Sequence, residues 1–188
     1  MSTHVRDPDR FDPRSVVSFW RAAGPGRWFG KSATFDAEVG RRLGTLHFWA
    51  AAGMLDHLAH TAEGALALLI LLDQVPRNMF RGTARAFATD AHARDIARYA
   101  ISRGLDQRVA RKMRTFFYLP FMHSEDENDQ ELCLALYENM NDAYGAKWAQ
   151  LHLDIIRQFG RFPHRNEALG RAASHAELQF LKEGGFSG

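Results

Sequence analysis

Residues 116–131 read FFYLPFMHSEDENDQE, and the rest of the chain is organised around this stretch. An aromatic run leads past His123 into a segment with five acids in seven residues. Ser124 and Glu127 have the spacing of a capping box, in which each side chain bonds a backbone amide of the first helical turn. The stretch therefore predicts a helix that begins at Glu125 and carries an acidic N-terminus.

Three acids of this stretch fall on the side of the helix that faces the core. At about 100° per residue, Glu125, Asp126 and Asp129 extend an apolar face. That face comprises Leu132, Cys133, Leu136 and Met140. Acids in a first turn offset the helix dipole, which accounts for Glu125 and Asp126 but not for Asp129. A carboxylate on a buried face needs a partner, so we expect cations from elsewhere in the chain.

Length and composition predict one globular helical domain at residues 13–188, after a flexible arm at residues 1–12. The chain has 188 residues, of which 46% are hydrophobic and 24% charged. A net charge of +2 argues against a nucleic-acid binder. The N-terminus lacks the apolar core of a signal peptide, and the longest apolar run, residues 65–72, is too short to span a bilayer. We therefore expect a cytoplasmic protein, with the single Cys133 a small buried hydrophobe.

The apolar periodicity predicts eight or nine helices and no strand, as an all-α array of antiparallel helix hairpins. Residues 64–74 are apolar around the whole helix and predict the central buried helix, which Pro76 should end at or just before Val75. A later helix is expected at residues 107–119, ended by Pro120. The face expected to be inward on the helix at residues 143–159 comprises Tyr144, Trp148, Leu151, Ile155 and Phe159.

Two polar segments follow helix ends and repeat a pattern. DQVPRN occupies residues 73–78 and RFPHRN residues 161–166, and each presents Arg-Asn shortly after a proline. Arg77, Arg161 and Arg165 are the expected partners of the inward acids, because guanidinium groups bind carboxylates bidentately. Two interpretations remain open at this point: a ligand pocket, or a salt-bridge network that ties helix ends together.

The histidines are compatible with acid–base catalysis, but their sequence pattern does not identify a reaction. His123, with Glu125 or Asp126 beside it, has the residue types of a general base and its orienting carboxylate. The paired spacings of zinc sites are missing, as are a Gly-rich phosphate loop and a dinucleotide-binding motif. We therefore predict neither a bound metal nor a cofactor.

Four motifs together resemble one bacterial family. LLDQVPRN, FMHSEDENDQ and FGRFPHRN, with WFGK near the start, are similar to the family called domain of unknown function 924. The resemblance extends from about Phe19 to Phe180 and implies a tetratricopeptide-like helical fold, but no established activity. The Trp, Leu-Gly and Tyr spacing of a true tetratricopeptide repeat is absent, which argues against a standard peptide-binding groove.

Three functions remain as hypotheses. The first is a binding protein whose charged cleft holds a small polar ligand or a peptide end. The second is a hydrolase that uses His123, Glu125 and Asp126 as catalytic residues. The third is a scaffold for a protein partner, and none of the three requires nucleic acid or a membrane. The expected ligand-binding residues are Asp73, Arg77, Asn78, Asp129, Gln130, Arg161, His164, Arg165 and Asn166.

Overall fold

The computed structural model describes Pro8 and residues 11–187, and all regular structure within this part is helical. The prediction of an all-α fold is therefore confirmed. The predicted N-terminal arm lies outside the described residues except for Pro8, Phe11 and Asp12. A tetratricopeptide-like order of hairpins stays a prediction.

The helices follow one another with short connections. They are α1 (Arg14–Ala23), α2 (Pro25–Trp28), α3 (Ala33–Ala51), α4 (Ala62–Leu69), α5 (Val75–Met79), α6 (Asp90–Ser102), α7 (Thr115–Met122), α8 (Glu127–Asn139), α9 (Ala143–Phe159) and α10 (His175–Lys182). A π-helical turn, Ile70–Gln74, joins α4 and α5 into one continuous helix. The described residues therefore form nine helices, within the predicted range.

Two compact units divide the described residues. The first takes its residues from Met1–Arg81 and Arg85–Pro120, and the second from Gly82–Ala84 and Phe121–Gly188. The boundary lies within α7, after Pro120. That the chain is one domain stays a prediction, and each unit is described by itself below.

The predicted central helix forms the core of the first unit. Residues 65–72 are at most 1% exposed, so this helix is buried on every side, as its continuous apolar sequence predicts. Helices α1 and α6 pack against α4, and α3 packs against α5. Thr61 caps the N-terminus of α4 by accepting a hydrogen bond from the Gly64 amide at 3.1 Å.

The central helix does not end at Val75, which corrects the prediction made from Pro76. The Val75 amide instead bonds the carbonyl of Ile70, five residues earlier, and this longer step lets the helix pass the proline. In that register the Leu71 carbonyl would pair with residue 76, but Pro76 has no N–H to give. The imidazole Nδ1 of His47 donates to that carbonyl at 2.8 Å and replaces the missing backbone donor.

Side chains also bond the two carbonyls that follow. The hydroxyl of Thr89 donates to the Leu72 carbonyl at 2.5 Å, and Arg77 Nη1 donates to the Asp73 carbonyl at 2.7 Å. Thr89 immediately precedes α6, but its hydroxyl makes no bond to the first turn of that helix. The irregular turn is therefore fixed by donors from α3, from the start of α6 and from α5.

The helix predicted at residues 107–119 is wrong. Two short 3₁₀ turns, Asp106–Arg108 and Arg111–Met113, stand in its place, and α7 begins only at Thr115. Tyr118 donates its phenolic proton to the buried carboxylate of Asp106 at 2.9 Å, which fastens the first of these turns against α7. Pro120 consequently lies inside α7 and does not end it.

The second unit is built on the pair α8 and α9, which pack together. A side chain at Gly145 would collide with the ring of Tyr137, so the two helices approach closely where α9 begins. The inward face of α9 begins with the small residues Gly145 and Ala149 and continues with larger ones. The buried residues of α9 are Gly145, Ala149, His152, Leu153, Ile155 and Ile156.

The inward face predicted for α9 is therefore wrong for three of its members. Tyr144 is 71% exposed, Trp148 37% and Leu151 39%, whereas Ile155 is buried as predicted. In the part of the chain that the structure covers, no helix is long and apolar enough to cross a membrane.

Candidate functional site

The acidic helix begins two residues later than its sequence predicts. Helix α8 starts at Glu127, and its cap is Asp126, whose carboxylate accepts from the Asn128 amide at 2.8 Å. Ser124 is used differently from a helix cap. Its hydroxyl accepts from the Asp126 amide at 3.2 Å and donates to the carboxylate of Asp129 at 2.7 Å.

Only part of the predicted inward set is inward. Asp129 is buried at 3% exposure and Glu125 is partly buried, but Asp126 is exposed because it caps the helix. Gln130 is fully buried, and its amide nitrogen donates to the carbonyls of Phe121, Met122 and Ser124. Gln130 therefore closes the C-terminal end of α7 and presents no surface to a ligand.

Glu125 pairs with an arginine that the sequence analysis did not consider. Arg171 binds both carboxylate oxygens, at 2.7 and 3.0 Å, and the Phe162 amide donates to the same group at 2.8 Å. Burial alone would raise the pKa of Glu125, but these donors hold the pKa below its usual value. The sequence signal for Arg171 is its position five residues after the RFPHRN segment, which already carries Arg161 and Arg165.

A second ion pair involves Arg161 and Glu177, the N3 residue of α10. The guanidinium of Arg161 binds both oxygens of Glu177, at 2.6 and 2.8 Å. Hydrogen bonds from Arg161 and from the Ser174 amide hold the pKa of Glu177 well below its usual range. Ser174 and Glu177 also form the capping box that their spacing predicts.

Asn166 links the two pairs. Its amide nitrogen donates to Glu177 at 3.2 Å, and its amide oxygen accepts from Arg171 at 3.0 Å. The result is one hydrogen-bonded network that runs through Glu125, Arg171, Asn166, Glu177 and Arg161. Each carboxylate in it receives a bidentate guanidinium, so these five residues have the features of a structural network that fixes the segment between α9 and α10.

The DQVPRN residues make their own contacts in the first unit. Arg77 bonds the carboxylate of Asp90 through two hydrogen bonds of 3.0 Å and lies 3.2 Å from the carboxylate of Asp73. Asn78 donates to Asp36 at 2.7 Å. The carboxylate partners of Arg77 are therefore Asp73 and Asp90. The prediction that it pairs with Glu125, Asp126 or Asp129 did not include them.

Two histidines of the second unit, His152 and His164, pack against Phe162, and His123 lies near enough to act electrostatically on both. His152 lies on α9, His164 lies on the 3₁₀ turn Pro163–Arg165, and His123 follows α7. The ring of Phe162 is 5.5 Å from that of His152 and 5.6 Å from that of His164. We call His123, His152 and His164 the imidazole cluster.

The cluster keeps two of its imidazoles uncharged near neutral pH. Burial, with a smaller contribution from the neighbouring positive charge of Arg165, lowers the pKa of His152 to about 4 and that of His164 to about 3. His152 donates from Nδ1 to the Trp148 carbonyl at 2.8 Å, which leaves Nε2 as the acceptor nitrogen. The Nδ1 atom of His164 is buried and has no hydrogen-bond partner among the described residues.

Aromatic rings and one arginine complete the surroundings. The guanidinium of Arg165 lies 4.5 Å from the ring centre of Phe162, and Arg165 is 6% exposed. Phe186, beyond α10, lies 4.6 Å from His152 and 5.2 Å from His164, ring centre to ring centre. Sequence analysis placed His164 and Arg165 here, but His152 and Phe186 were missed as site residues because their proximity depends on tertiary packing.

Two further findings bear on what this site can bind. No three His, Cys, Asp or Glu side chains within the described ranges are grouped so as to hold a metal ion. A shallow depression of about 630 Å³ lies beside the charged network. It is lined by Gln158, Phe159, Arg161, Ser174, Ala176 and Glu177. Because Arg161 and Glu177 neutralise each other there, the depression offers no unbalanced charge to a ligand.

Comparisons with known proteins identify relatives without a known activity. No curated protein matches the chain. A solved structure of a protein of unknown function from Agrobacterium tumefaciens is 46% identical and has a TM-score of 0.88. The match covers 91% of this chain and 97% of that one. Residues 16–185 match a family described as bacterial protein of unknown function, so the chain belongs to the family called domain of unknown function 924.

Proposed function

We propose that this chain is a binding protein for a small polar molecule or a peptide end, and that the imidazole cluster is where it binds. The observation that carries the proposal is the convergence of His152, His164 and the cation Arg165 around one buried ring, Phe162. A guanidinium donates hydrogen bonds, whereas a neutral imidazole both donates and accepts them. Such a set suits a ligand with an anionic group beside a hydroxyl or an amine.

The state of His164 supports the proposal most directly. A buried polar atom without a hydrogen-bond partner costs about 1–3 kcal/mol, and native proteins keep few such atoms. The buried Nδ1 of His164 is one of them within the described residues. A ligand that bonds this nitrogen would recover that free energy, so the site gains more from binding than a satisfied cluster would.

The proposal leaves out the residues whose side chains hold the fold. Glu125, Arg161 and Asn166 belong to the closed network with Arg171 and Glu177. We therefore place ligand contacts at His123, His164 and Arg165, which the sequence analysis named, and at His152, which it did not. The other predicted ligand-binding residues stay predictions without support from their contacts. They are Asp73, Arg77, Asn78, Asp129, Gln130, Arg161 and Asn166.

The hydrolase hypothesis has less support. It needs Glu125 or Asp126 to orient His123 as a general base. Glu125 is bonded by Arg171 and by the Phe162 amide, and Asp126 accepts from the backbone and side chain of Asn128. Glu125 is therefore paired with a guanidinium and Asp126 caps α8, so the contacts of these two carboxylates are explained without a catalytic role.

A scaffold role has one observation in its favour. Tyr144, Trp148 and Leu151 form an exposed stripe on α9, and exposed apolar surface often marks a protein contact. A protein partner and a cytoplasmic location both stay predictions.

A thermal-shift screen tests the binding proposal. N-acetylated amino acids, dipeptides and dicarboxylic acids are added at 10 mM to the wild type, to His164→Ala and to Arg157→Ala. Arg157 is the matched control because it lies in the same unit, on the exposed side of α9, with Glu127 and Glu131 as partners. A ligand at 100 times its Kd stabilises a protein by about 2.7 kcal/mol, which for a chain of this size raises Tm by several degrees.

We expect at least one compound class to raise Tm in the wild type and in Arg157→Ala, and to lose at least half of that shift in His164→Ala. Equal shifts in all three proteins would place binding elsewhere and contradict the proposed site. If no class stabilises the wild type, and native mass spectrometry of the purified protein also shows no retained molecule, the binding proposal fails.

A further inference from the structure

Phe186 packs against the imidazole cluster although it lies beyond the last helix. Its ring centre is 4.6 Å from that of His152, 5.2 Å from that of His164 and 6.3 Å from that of Trp148. The contacts with both imidazoles are edge-on, which is a favourable geometry for aromatic pairs. One side chain from a short segment therefore covers both neutral histidines of the proposed site.

A two-glycine turn brings Phe186 to this place. Gly184 has a φ of +85°, and its amide donates to the Leu181 carbonyl at 3.3 Å. Gly185 donates to the Phe180 carbonyl at 2.9 Å, and a Cβ at Gly185 would lie 2.6 Å from that carbonyl and from the Phe180 ring. Only glycine fits both positions without strain. The two glycines therefore allow the chain to turn back toward α9.

Phe186 is packed less firmly than the ring beneath it. Phe162 is fully buried, whereas Phe186 is only partly buried against the small core of Ile155, Ile156 and Phe162. A partly exposed side chain on a segment without a helix of its own opens at low free-energy cost. Its withdrawal would uncover His152 and His164 without removing any part of the charged network.

An exposed aromatic track leads from the surface to the same place. Tyr144 contacts Trp148 one turn along α9, with ring centres 6.3 Å apart, and Trp148 contacts Phe186 at the same distance. Tyr144 and Trp148 are 71% and 37% exposed, although aromatic rings of this size are normally more buried. A ligand that carries an aromatic ring thus has a surface on which to lie before it reaches the histidines.

We propose that residues 184–187 act as an internal occupant of the imidazole cluster, and that the natural ligand is a peptide segment whose aromatic side chain replaces Phe186. This inference rests on the proposed function, because it names the ligand class of the same site. Residues 184–187 compete with the ligand for this site. Their local concentration is high because they belong to the same chain, so only a ligand with further contacts to His164, Arg165 or the aromatic track displaces them.

Site-specific modification by diethyl pyrocarbonate measures the covering directly, because the reagent acylates uncharged imidazole nitrogens. Rates at His152 and His164 are read by peptide mass spectrometry at pH 7 in the wild type, in Phe186→Ala and in Leu178→Ala. Leu178 is the matched control, since it lies on α10 and is 56% exposed. His175 is exposed and serves as an internal reference in each protein.

We expect Phe186→Ala to raise the rates at His152 and His164 at least fivefold relative to His175, whereas Leu178→Ala leaves them unchanged. Adding the synthetic peptide EGGFSG, the sequence of residues 183–188, at 5 mM to Phe186→Ala should reduce the raised rates at least twofold, and EGGASG should not. Circular dichroism confirms that each variant is folded. Unchanged rates in folded Phe186→Ala would overturn the inference, and so would equal effects of the two peptides.

The diethyl pyrocarbonate experiment and the thermal-shift screen can fail independently of each other. Uncovering of the histidines in Phe186→Ala is measured without any ligand, so it can fail while the compound screen succeeds at His164. Conversely, a protein in which Phe186 covers the cluster but no compound binds would retain the covering and lose the binding proposal.

Discussion

His47 in the first unit and His152 in the second make the same hydrogen bond for different reasons. Each is buried and donates Nδ1 to a backbone carbonyl at 2.8 Å, and burial lowers the pKa of both. The Leu71 carbonyl, which His47 bonds, lies beside Pro76 and lacks its backbone donor. The Trp148 carbonyl, which His152 bonds, lies within the regular helix α9 and already has one.

The contrast separates a structural histidine from a candidate binding histidine. His47 supplies a bond that the backbone lacks, and its ring packs between Phe48 and Phe80. The helix α9 does not need the bond from His152, because the Trp148 carbonyl already accepts a backbone N–H. The bond instead fixes the tautomer of His152 and the direction of its Nε2 atom. Burial and lowered pKa are common to both histidines and do not distinguish them. They differ in whether the carbonyl they bond already has a backbone N–H donor.

Substituting Arg77 should give the largest loss of stability, because it removes the cation from the network beside the π turn. Removing one partner of a buried ion pair typically costs about 3–5 kcal/mol. Asp73 is 1% exposed and Asp90 is 7% exposed, so two buried carboxylates would lose their partly buried cation in Arg77→Met. Urea unfolding measures the loss, and a decrease of less than about 1 kcal/mol would show that this network is not structural.

Replacing each histidine by leucine tests the comparison itself. His47→Leu leaves the Leu71 carbonyl buried without a donor, which should lower the free energy of unfolding by about 1–3 kcal/mol. In His152→Leu the Trp148 carbonyl keeps its helical N–H, so we expect a change below about 1 kcal/mol. Both variants are measured by the same urea titration. Equal losses, or a larger loss at His152, would contradict the distinction.

Acid should destabilise the wild type modestly, in a direction set by the lowered pKa values. The ordinary pKa of histidine is about 6.5, and that of His152 is about 4 in the folded chain. Between these values the unfolded chain binds more protons, so the stability present above pH 6.5 is lost as the pH falls toward 4. Stability at pH 5.5 should be about 1 kcal/mol lower than at pH 7.5 on account of His152.

His152→Leu supplies the control, because it removes this titration. The difference in unfolding free energy between the two pH values should shrink by about 1 kcal/mol in the variant. An unchanged difference would mean that His152 titrates alike in the folded and unfolded chains.

Local patterns in the sequence predicted the elements better than they predicted the contacts. Ser32 and Thr61 cap their helices, and the capping box of Ser174 and Glu177 forms, because such bonds depend on residues three positions apart. The central helix is buried as predicted, since a helix that is apolar all round has no other stable position.

The failures share a cause, which is that distant residues decided between local options. Pro76 stops a helix unless other donors cover the freed carbonyls, and His47 and Thr89 are too far away in sequence to be connected with it. The inward face of α9 was chosen by the fit of Gly145 against Tyr137, not by its largest apolar residues. Likewise, several arginines matched Glu125 chemically, and only the folded chain selects Arg171.

The π turn has a consequence for how this chain tolerates changes of length. A π turn holds about one residue more than the α-helical path it replaces, so Ile70–Gln74 is equivalent to a single-residue insertion in an otherwise regular helix. Deleting one residue there would return the backbone to the α-helical step, in which the ring of Pro76 clashes with the carbonyl four residues earlier. Arg77 and Asn78 would also rotate by about 100° around the helix axis and lose their carboxylates. In evolutionary terms, this motif should accept substitutions more readily than deletions.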